Sequence, residues 1–398
     1  MNPNILKLKP YPFERLAQLK QGVTPPVGLN PILLSIGEPK HAPPEFILQA
    51  MRDNLEGLAI YPSAKGLPQL RQAIAAWVTR RYGLKSGRMD PERHILPVNG
   101  TREGLFAFAQ AMVDPNGRSL VLMPNPFYQI YEGATFLSGV EPWYMDTTTN
   151  SGFLPDLDAI QERVWQRCQL LYICTPGNPA GAVMDIAYLS RVIELADRYD
   201  FIIASDECYA EIYHDESAPP PGLLQACEQL GRHDFRRCMV FHSLSKRSNL
   251  PGLRSGFVAG DAEIIDTFLR YRTYHGCAMP VPTQIVSTLA WQDDRHAVTN
   301  RALYRQKFQA AMDILRPVLD VEYPAGAFYL WPHTPVDDES FVRGLFATQN
   351  VTVLPGSYLS RQTPRGDPGK DRVRISLVAP VAECTEAAHR IRNYVESL

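Results

Sequence analysis

The segment "FHSLSKRSNLPGLRSGFVAGD" (residues 241–261) sets Lys246 among small polar residues directly behind an apolar run, with Arg254 following just ahead of Ser255-Gly256. A solvated surface lysine needs no such setting. A lysine that holds a reactive carbonyl beside a phosphate does. Other polar residues occupy the same kind of place. Asn99, Gly100, Thr101 and Arg102 follow "HILPV", and Tyr128 follows "SLVLMP". Asn178 follows "QLLYICTP", Asp206 and Tyr209 follow "FIIAS", and Lys246 itself follows "CMVFH". Taken singly, most of these have two readings. A Gly-Thr turn that opens a helix offers backbone N–H groups to a phosphate, or is only a turn. Tyr128 is a stacking ring or a half-buried core aromatic, and Asn178 is a ligand or a turn former. Asp206 is different, because an unpaired carboxylate is costly where an apolar strand ends, so it requires a cationic partner.

The elements that must position these residues can be read from the runs between them. "SLVLMP", "QLLYICTP", "FIIASDE" and "CMVFHS" are short and continuously apolar, as suits strands buried on both faces of a parallel sheet. "HILPVNG" is a further short strand, and "RSGFVAGD" fits one that runs antiparallel at or near an edge. Helices are expected over "PEFILQAMRDNL", "LPQLRQAIAAWVTRRYG", "TREGLFAFAQAMV" and "IAYLSRVIELADRYD". In the second of these, Leu70, Ile74, Trp77 and Val78 share a face and Gly83 stops the helix. Open sheets of this kind bind ligands beyond the carboxyl ends of their strands, where the polar residues above converge. Near residue 285 the pattern changes to a long helix ending near Pro317, three short strands and a terminal helix. The expected fold is α/β, with a large domain (41–287) of mostly parallel sheet flanked by helices. A smaller α+β domain is expected from both chain ends (1–40 and 288–398). The start of the chain, through about Pro44, reads as irregular and proline-rich.

Bulk composition excludes several function classes. The 398 residues are 45% hydrophobic and 21% charged, with a net charge of -2, so no strong field favours nucleic acid or an anionic membrane. No apolar run approaches the ~20 residues of a membrane span. The amino terminus lacks the apolar stretch of a signal peptide, and a cytoplasmic protein is expected. The seven cysteines form no C-x-x-C pair and read as reduced thiols. The nine histidines show no metal-ligand spacing, so no metal is expected.

A lysine, a carboxylate, an aromatic ring, an asparagine and a phosphate turn, each at a strand end, match the needs of pyridoxal 5'-phosphate. The ordered motifs "YPSAKG", "NGTREG", "NPFY", "GNPAG", "DECY", "SLSKRSNLPGLR" and "RIS" resemble the class I/II pyridoxal-phosphate aminotransferases of fold type I. The resemblance runs from about Ile36-Gly37 to the last helix. It implies that Lys246 takes the cofactor's aldehyde and later carries a proton, and that Asp206 pairs with the pyridine nitrogen. Tyr209 and Asn178 resemble the donors to the phenolic oxygen, and Tyr128 the stacking ring. Gly100, Thr101 and Arg102 resemble the phosphate turn, with Arg102 acting mainly through its backbone. Ser243 and Arg254 resemble phosphate ligands, and Ser245 a third one or a residue that orients Arg254. Tyr61 resembles a tyrosine that reaches the neighbouring subunit's phosphate, which implies a homodimer with shared sites. Arg374 resembles the clamp on the substrate α-carboxylate, and Gly37 the glycine that lets the amino-terminal segment lie close to the substrate. Ala180 departs from the threonine common at its position in the family.

Within the family, "SIGEPKHAPP", "YPSAKGLPQLR" and the Lys246 segment are similar to succinyldiaminopimelate transaminases. This implies conversion of N-succinyl-2-amino-6-oxopimelate to N-succinyl-diaminopimelate, with glutamate as donor, in lysine biosynthesis. Such a substrate carries remote carboxylates. The loop Ser360 to Arg372 is a candidate to read them, or is a solvated surface loop. Arg270 and Arg272 lie where some relatives place an arginine for a distal carboxylate. The alternatives are transamination of aspartate, N-acetylornithine, an aromatic amino acid or alanine, and lyase or synthase chemistry on the same fold. A non-enzymatic regulator is disfavoured, since the motifs begin near Gly37 and no basic patch stands out. A nicotinamide enzyme would show G-x-G-x-x-G after the first strand.

Overall fold

The computed structural model describes residues 1–398. Its centre is a seven-stranded sheet: β1 (Ile95–Val98), β2 (Leu120–Asn125), β3 (Glu141–Asp146), β4 (Cys168–Cys174), β5 (Ile202–Asp206), β6 (Cys238–Ser243) and β7 (Gly256–Gly260). The spatial order is β1-β7-β6-β5-β4-β2-β3. Only β7 runs against its neighbours, pairing antiparallel with β1 and β6, one place in from the edge. The apolar runs read from the sequence are strands covered on both faces, and every residue of β1, β2, β6 and β7 is buried.

Alternation along the strands sorts their side chains into two cores. Leu122, Leu171, Ile203 and Val240 pack on one face, with the helices Pro68–Tyr82 and Ile186–Tyr199. Val121, Tyr172, Ala204 and Met239 pack on the other, against Phe108 and Phe268. Period-2 alternation is thus present inside runs that look uniformly apolar. A third core collects residues from both chain ends, including Leu16, Ile32 and Leu34 with Phe308, Leu345 and Ile391. The expected helices are found at Glu45–Asp53, Pro68–Tyr82, Thr101–Met112, Ile186–Tyr199, Arg295–Leu315 and Val381–Glu396. Gly83 ends the second of them at φ 63°.

Two elements differ from the sequence reading. The start of the chain is not irregular throughout: Pro12–Leu19 is a helix with proline in its first turn, and Ile32–Leu33 pairs in parallel with Val351–Thr352. The strand β3 lacks an apolar run because it is an edge strand, mostly half-buried, and it accommodates Pro142. No helix is long and apolar enough to cross a membrane.

Candidate active site

The carboxyl ends of β2, β4, β5 and β6 open onto a cavity of about 490 Å³. Lys246 lies in the four-residue helix Leu244–Arg247 that follows β6. Ser243 caps that helix, its Oγ accepting the Ser245 N–H at 3.1 Å. The Lys246 amine points back across the cavity and donates to the Gly37 carbonyl at 2.5 Å. Burial is the largest influence on this amine. Together with Arg374 and Arg254, and against Cys208 and Glu38, it brings the amine down to about 8.

Asp206 ends β5 and is 3% exposed. Alternation sends its neighbour Glu207 elsewhere, to accept from Tyr82 at 2.8 Å and from the Leu223 N–H at 2.9 Å. The Asp206 carboxylate accepts from the Tyr131 hydroxyl at 2.7 Å and the Cys208 N–H at 3.2 Å, and no lysine or arginine pairs with it. Burial therefore raises it above the usual carboxylate range. The cationic partner expected from the sequence is not a side chain of this protein.

Gly100 stands at φ 82° ahead of the helix Thr101–Met112. A Cβ there would collide with the Arg254 guanidinium, which arrives from the far side of the Lys246 loop. Arg254 donates to Pro251 O at 2.9 Å and to Asn99 O at 3.2 Å, so one side chain joins the two loops assigned to phosphate. At the opposite side Arg374, 4% exposed, donates to Asn178 Oδ1 at 2.9 Å and to Ser35 O at 2.8 Å. Its guanidinium lies 4.6 Å from the Tyr329 ring centroid, and its Nε has no partner. A Cβ on Gly37 would strike the Tyr329 hydroxyl, which is why the close approach of this segment needs glycine.

The fold thus brings Gly37, Thr101, Arg102, Tyr128, Asn178, Asp206, Tyr209, Ser243, Ser245, Lys246, Arg254 and Arg374 to one cavity, with Gly100 behind Arg254. Tyr61 is not among them and is fully exposed. Arg270 is solvated beside Asp266, and Arg272 is buried against Glu103, so neither lines the cavity. The loop Ser360 to Arg372 is bound to the body. Arg361 pairs with Glu132 at 2.6 Å, and Arg372 donates to Thr149 at 2.8 Å. The fold also gathers Glu103, His275 and Cys277 within ligand distance of one another, a grouping no local spacing announces; Arg272 already occupies Glu103.

Several wall residues escaped the sequence reading. Tyr131 holds Asp206, and Tyr329 meets the Tyr209 hydroxyl at 2.6 Å. Tyr11 and Glu38 also line the cavity. Tyr131 was within reach, because it follows Tyr128 by three residues at the start of the helix Gln129–Leu137. Tyr329 and Tyr11 lie far away in the chain and carry no local signal.

The description "Aminotransferase class I and II" fits residues 30–391 as a family model. The chain belongs to this family. Among related proteins, this aminotransferase is 32% identical over 390 residues to a protein of Nitratidesulfovibrio vulgaris named LL-diaminopimelate aminotransferase, covering 96% of each chain. A solved aminotransferase from Neisseria meningitidis superposes with a TM-score of 0.94 at 48% identity, over 100% of both chains. A Thermus thermophilus structure described as a probable N-succinyldiaminopimelate aminotransferase gives 0.85 at 28% identity, covering 96% of this chain and 99% of that one.

Enzymes of this family depend on pyridoxal phosphate. The donor set here fits that group. A buried carboxylate without a cation faces the cavity at one end, and an amine brought down to about 8 faces it at another. Helix-start N–H groups, Ser243 and Arg254 suit a phosphate between them.

Proposed function

We propose that this aminotransferase exchanges the amino group of glutamate for the oxo group of N-succinyl-2-amino-6-oxopimelate, giving 2-oxoglutarate and N-succinyl-diaminopimelate. The convergence of Lys246, Asp206 and Arg374 on one cavity carries the reaction class. When bound, pyridoxal phosphate supplies an aldehyde carbon for the substrate amine and a cationic ring that draws electrons from the substrate Cα. Asp206 would hold the ring nitrogen, Tyr209 and Asn178 the phenolic oxygen, and Tyr128 the ring face. Ser243, Arg254 and the backbone at Gly100–Arg102 would hold the phosphate, with Ser245 beside them.

Lys246 would be the group that takes the proton from the substrate Cα and returns it to the former aldehyde carbon, on the other side of the intervening nitrogen. This requires a neutral amine, which a value of about 8 supplies in part at neutral pH. Arg374 clamps the α-carboxylate through a planar fork already oriented by Asn178 and Ser35. Arg374→Ala is expected to raise the Michaelis constants of donor and acceptor alike by about 10- to 100-fold, the worth of a charge-assisted pair. Unchanged constants would remove Arg374 from the site.

The substrate reading is supported by the pimelate skeleton common to the names of the two diaminopimelate relatives. It is also supported by Arg102, which stands at the cavity with phenols as its side-chain partners, Tyr128 at 2.7 Å and Tyr11 at 3.4 Å, and no carboxylate. A remote substrate carboxylate would complete it. LL-diaminopimelate is the second reading, favoured by Glu38 in the cavity wall, whose charge suits a distal ammonium. Measuring kcat/KM with 2-oxoglutarate against N-succinyl-LL-diaminopimelate, LL-diaminopimelate, N-acetylornithine and aspartate decides between them. A higher value for any compound other than the first overturns the proposal.

The complete site takes two copies of the chain. Leu55, Leu58, Ile60 and Tyr61 form an exposed, largely apolar run, and a second copy is the occupant that would bring Tyr61 to a phosphate. Mixed dimers of Tyr61→Ala and Lys246→Ala subunits are expected to recover part of the activity that each variant lacks. No recovery after verified subunit exchange would refute a shared site.

A further inference from the structure

Asn300, on the long helix Arg295–Leu315, is 3% exposed and uses every hydrogen-bonding position on its amide. Its Nδ2 donates to Lys246 O at 3.0 Å and to Arg247 O at 3.2 Å. The other terminal atom is therefore the oxygen, and it receives Asn249 Nδ2 at 2.9 Å and His41 Nδ1 at 2.7 Å. An amide oxygen only accepts, so His41 carries its hydrogen on Nδ1. The His41 ring leans on Tyr304, with centroids 4.8 Å apart, and its Nε2 has no partner. His41 sits four residues beyond Gly37, whose carbonyl accepts the Lys246 amine at 2.5 Å.

These contacts close a ring. It runs from the Lys246 amine to Gly37, along the backbone to His41, through Asn300, and back to the Lys246 carbonyl. A lysine stem has four rotatable carbons and does not aim its own nitrogen. The ring fixes both ends of that stem against one rigid helix. We propose that Asn300 and His41 are positioning residues that set the Gly37 carbonyl, and with it the reach of the Lys246 amine, toward the substrate Cα. Neither touches the cavity, and the same strap holds the segment whose Ser35 carbonyl orients Arg374. The inference rests on Lys246 being the proton carrier.

The test uses the holoenzyme and three variants. His41→Leu removes the Nδ1 donor while keeping an apolar body against Tyr304, and Asn300 still accepts from Asn249. His41→Asn restores an N–H at the Nδ1 position. Asn300→Ala cuts the ring at its centre, and the His41 pair remains decisive if that variant does not fold. With His41→Leu, kcat is expected to fall about 10- to 100-fold, the scale of a misplaced reacting group. The isotope effect on kcat with Cα-deuterated glutamate should rise, because proton transfer becomes slower, and the visible circular dichroism of the bound cofactor should change. His41→Asn should return all three toward wild type. A fall in kcat with an unchanged isotope effect, unchanged dichroism, or no rescue by His41→Asn overturns the strap. The role of Lys246 is judged separately, by whether Lys246→Ala still turns over.

Discussion

Lys246→Ala is expected to lower turnover by about 10⁴-fold or more, the upper range for removing a positioned general base, and to abolish the protein-linked visible absorbance of the cofactor. Both losses have one cause. No other primary amine lines the cavity, and the histidines are absent from its wall, so nothing nearby can take over the proton. The amine is suited to the task by its surroundings. Leaving water makes the ammonium form costly, and the neighbouring guanidinium groups of Arg374 and Arg254 add to that cost. In cofactor-free protein, amine-selective labelling of Lys246 should therefore follow a midpoint near 8, against about 10.4 for an unperturbed lysine. The sign is fixed: lowering the value enlarges the reactive neutral fraction at neutral pH, and the fraction grows as pH rises. A variant that stays coloured and active, or a wild-type midpoint near that of free lysine, refutes the assignment.

How much of this could be read from the letters depends on sequence distance. The strand-end part of the candidate site is legible because most of its residues follow an apolar run. A parallel sheet brings such positions together whatever the loops do, so Gly100, Tyr128, Asn178, Asp206 and Lys246 needed only their own neighbourhoods to be found. The edge strand Glu141–Asp146 had no such signature, since a strand covered on one side need not be apolar throughout. The helix Pro12–Leu19 was hidden by prolines that read as breakers, although proline in a first turn is compatible with a helix.

The substrate end was less legible for a different reason. Arg374 is singled out by its motif as a candidate, but its hydrogen-bond partners, Asn178 and Ser35, reach it from distant segments. Tyr329 is one of two neighbouring aromatics in "GAFYLWP", and only the packed structure shows that its hydroxyl meets Tyr209. Arg272 shows the converse. Its position suggested a role at a substrate carboxylate, yet the fold buries it against Glu103 behind the phosphate turn. An arginine's chemistry is set by its first anionic neighbour, and sequence order does not reveal which carboxylate that is.

Asp206→Asn is the second large effect expected, with kcat falling by about 10²–10³-fold, the range for losing one preorganised electrostatic partner in a water-poor site. The substitution preserves size; the amide oxygen can accept the Cys208 N–H while its NH2 donates to the Tyr131 hydroxyl, which can accept as well as donate, so the local structure should survive. What disappears is the charge. In the wild type that charge is maintained at a cost, since burial works against ionisation and outweighs the opposing help of Tyr131, Cys208 and the more distant His242. A carboxylate retained under those conditions is suited to a cation that arrives from outside the chain, and the protonated pyridine nitrogen of the cofactor is the one proposed for it. The variant should accordingly bind pyridoxal phosphate more weakly, measured by fluorescence titration, and should lose more in kcat than in the Michaelis constant for glutamate, because Arg374 is untouched. If kcat stayed within about twofold of wild type, Asp206 would be a structural acid held by Tyr131, and the ring would have to sit in the cavity some other way.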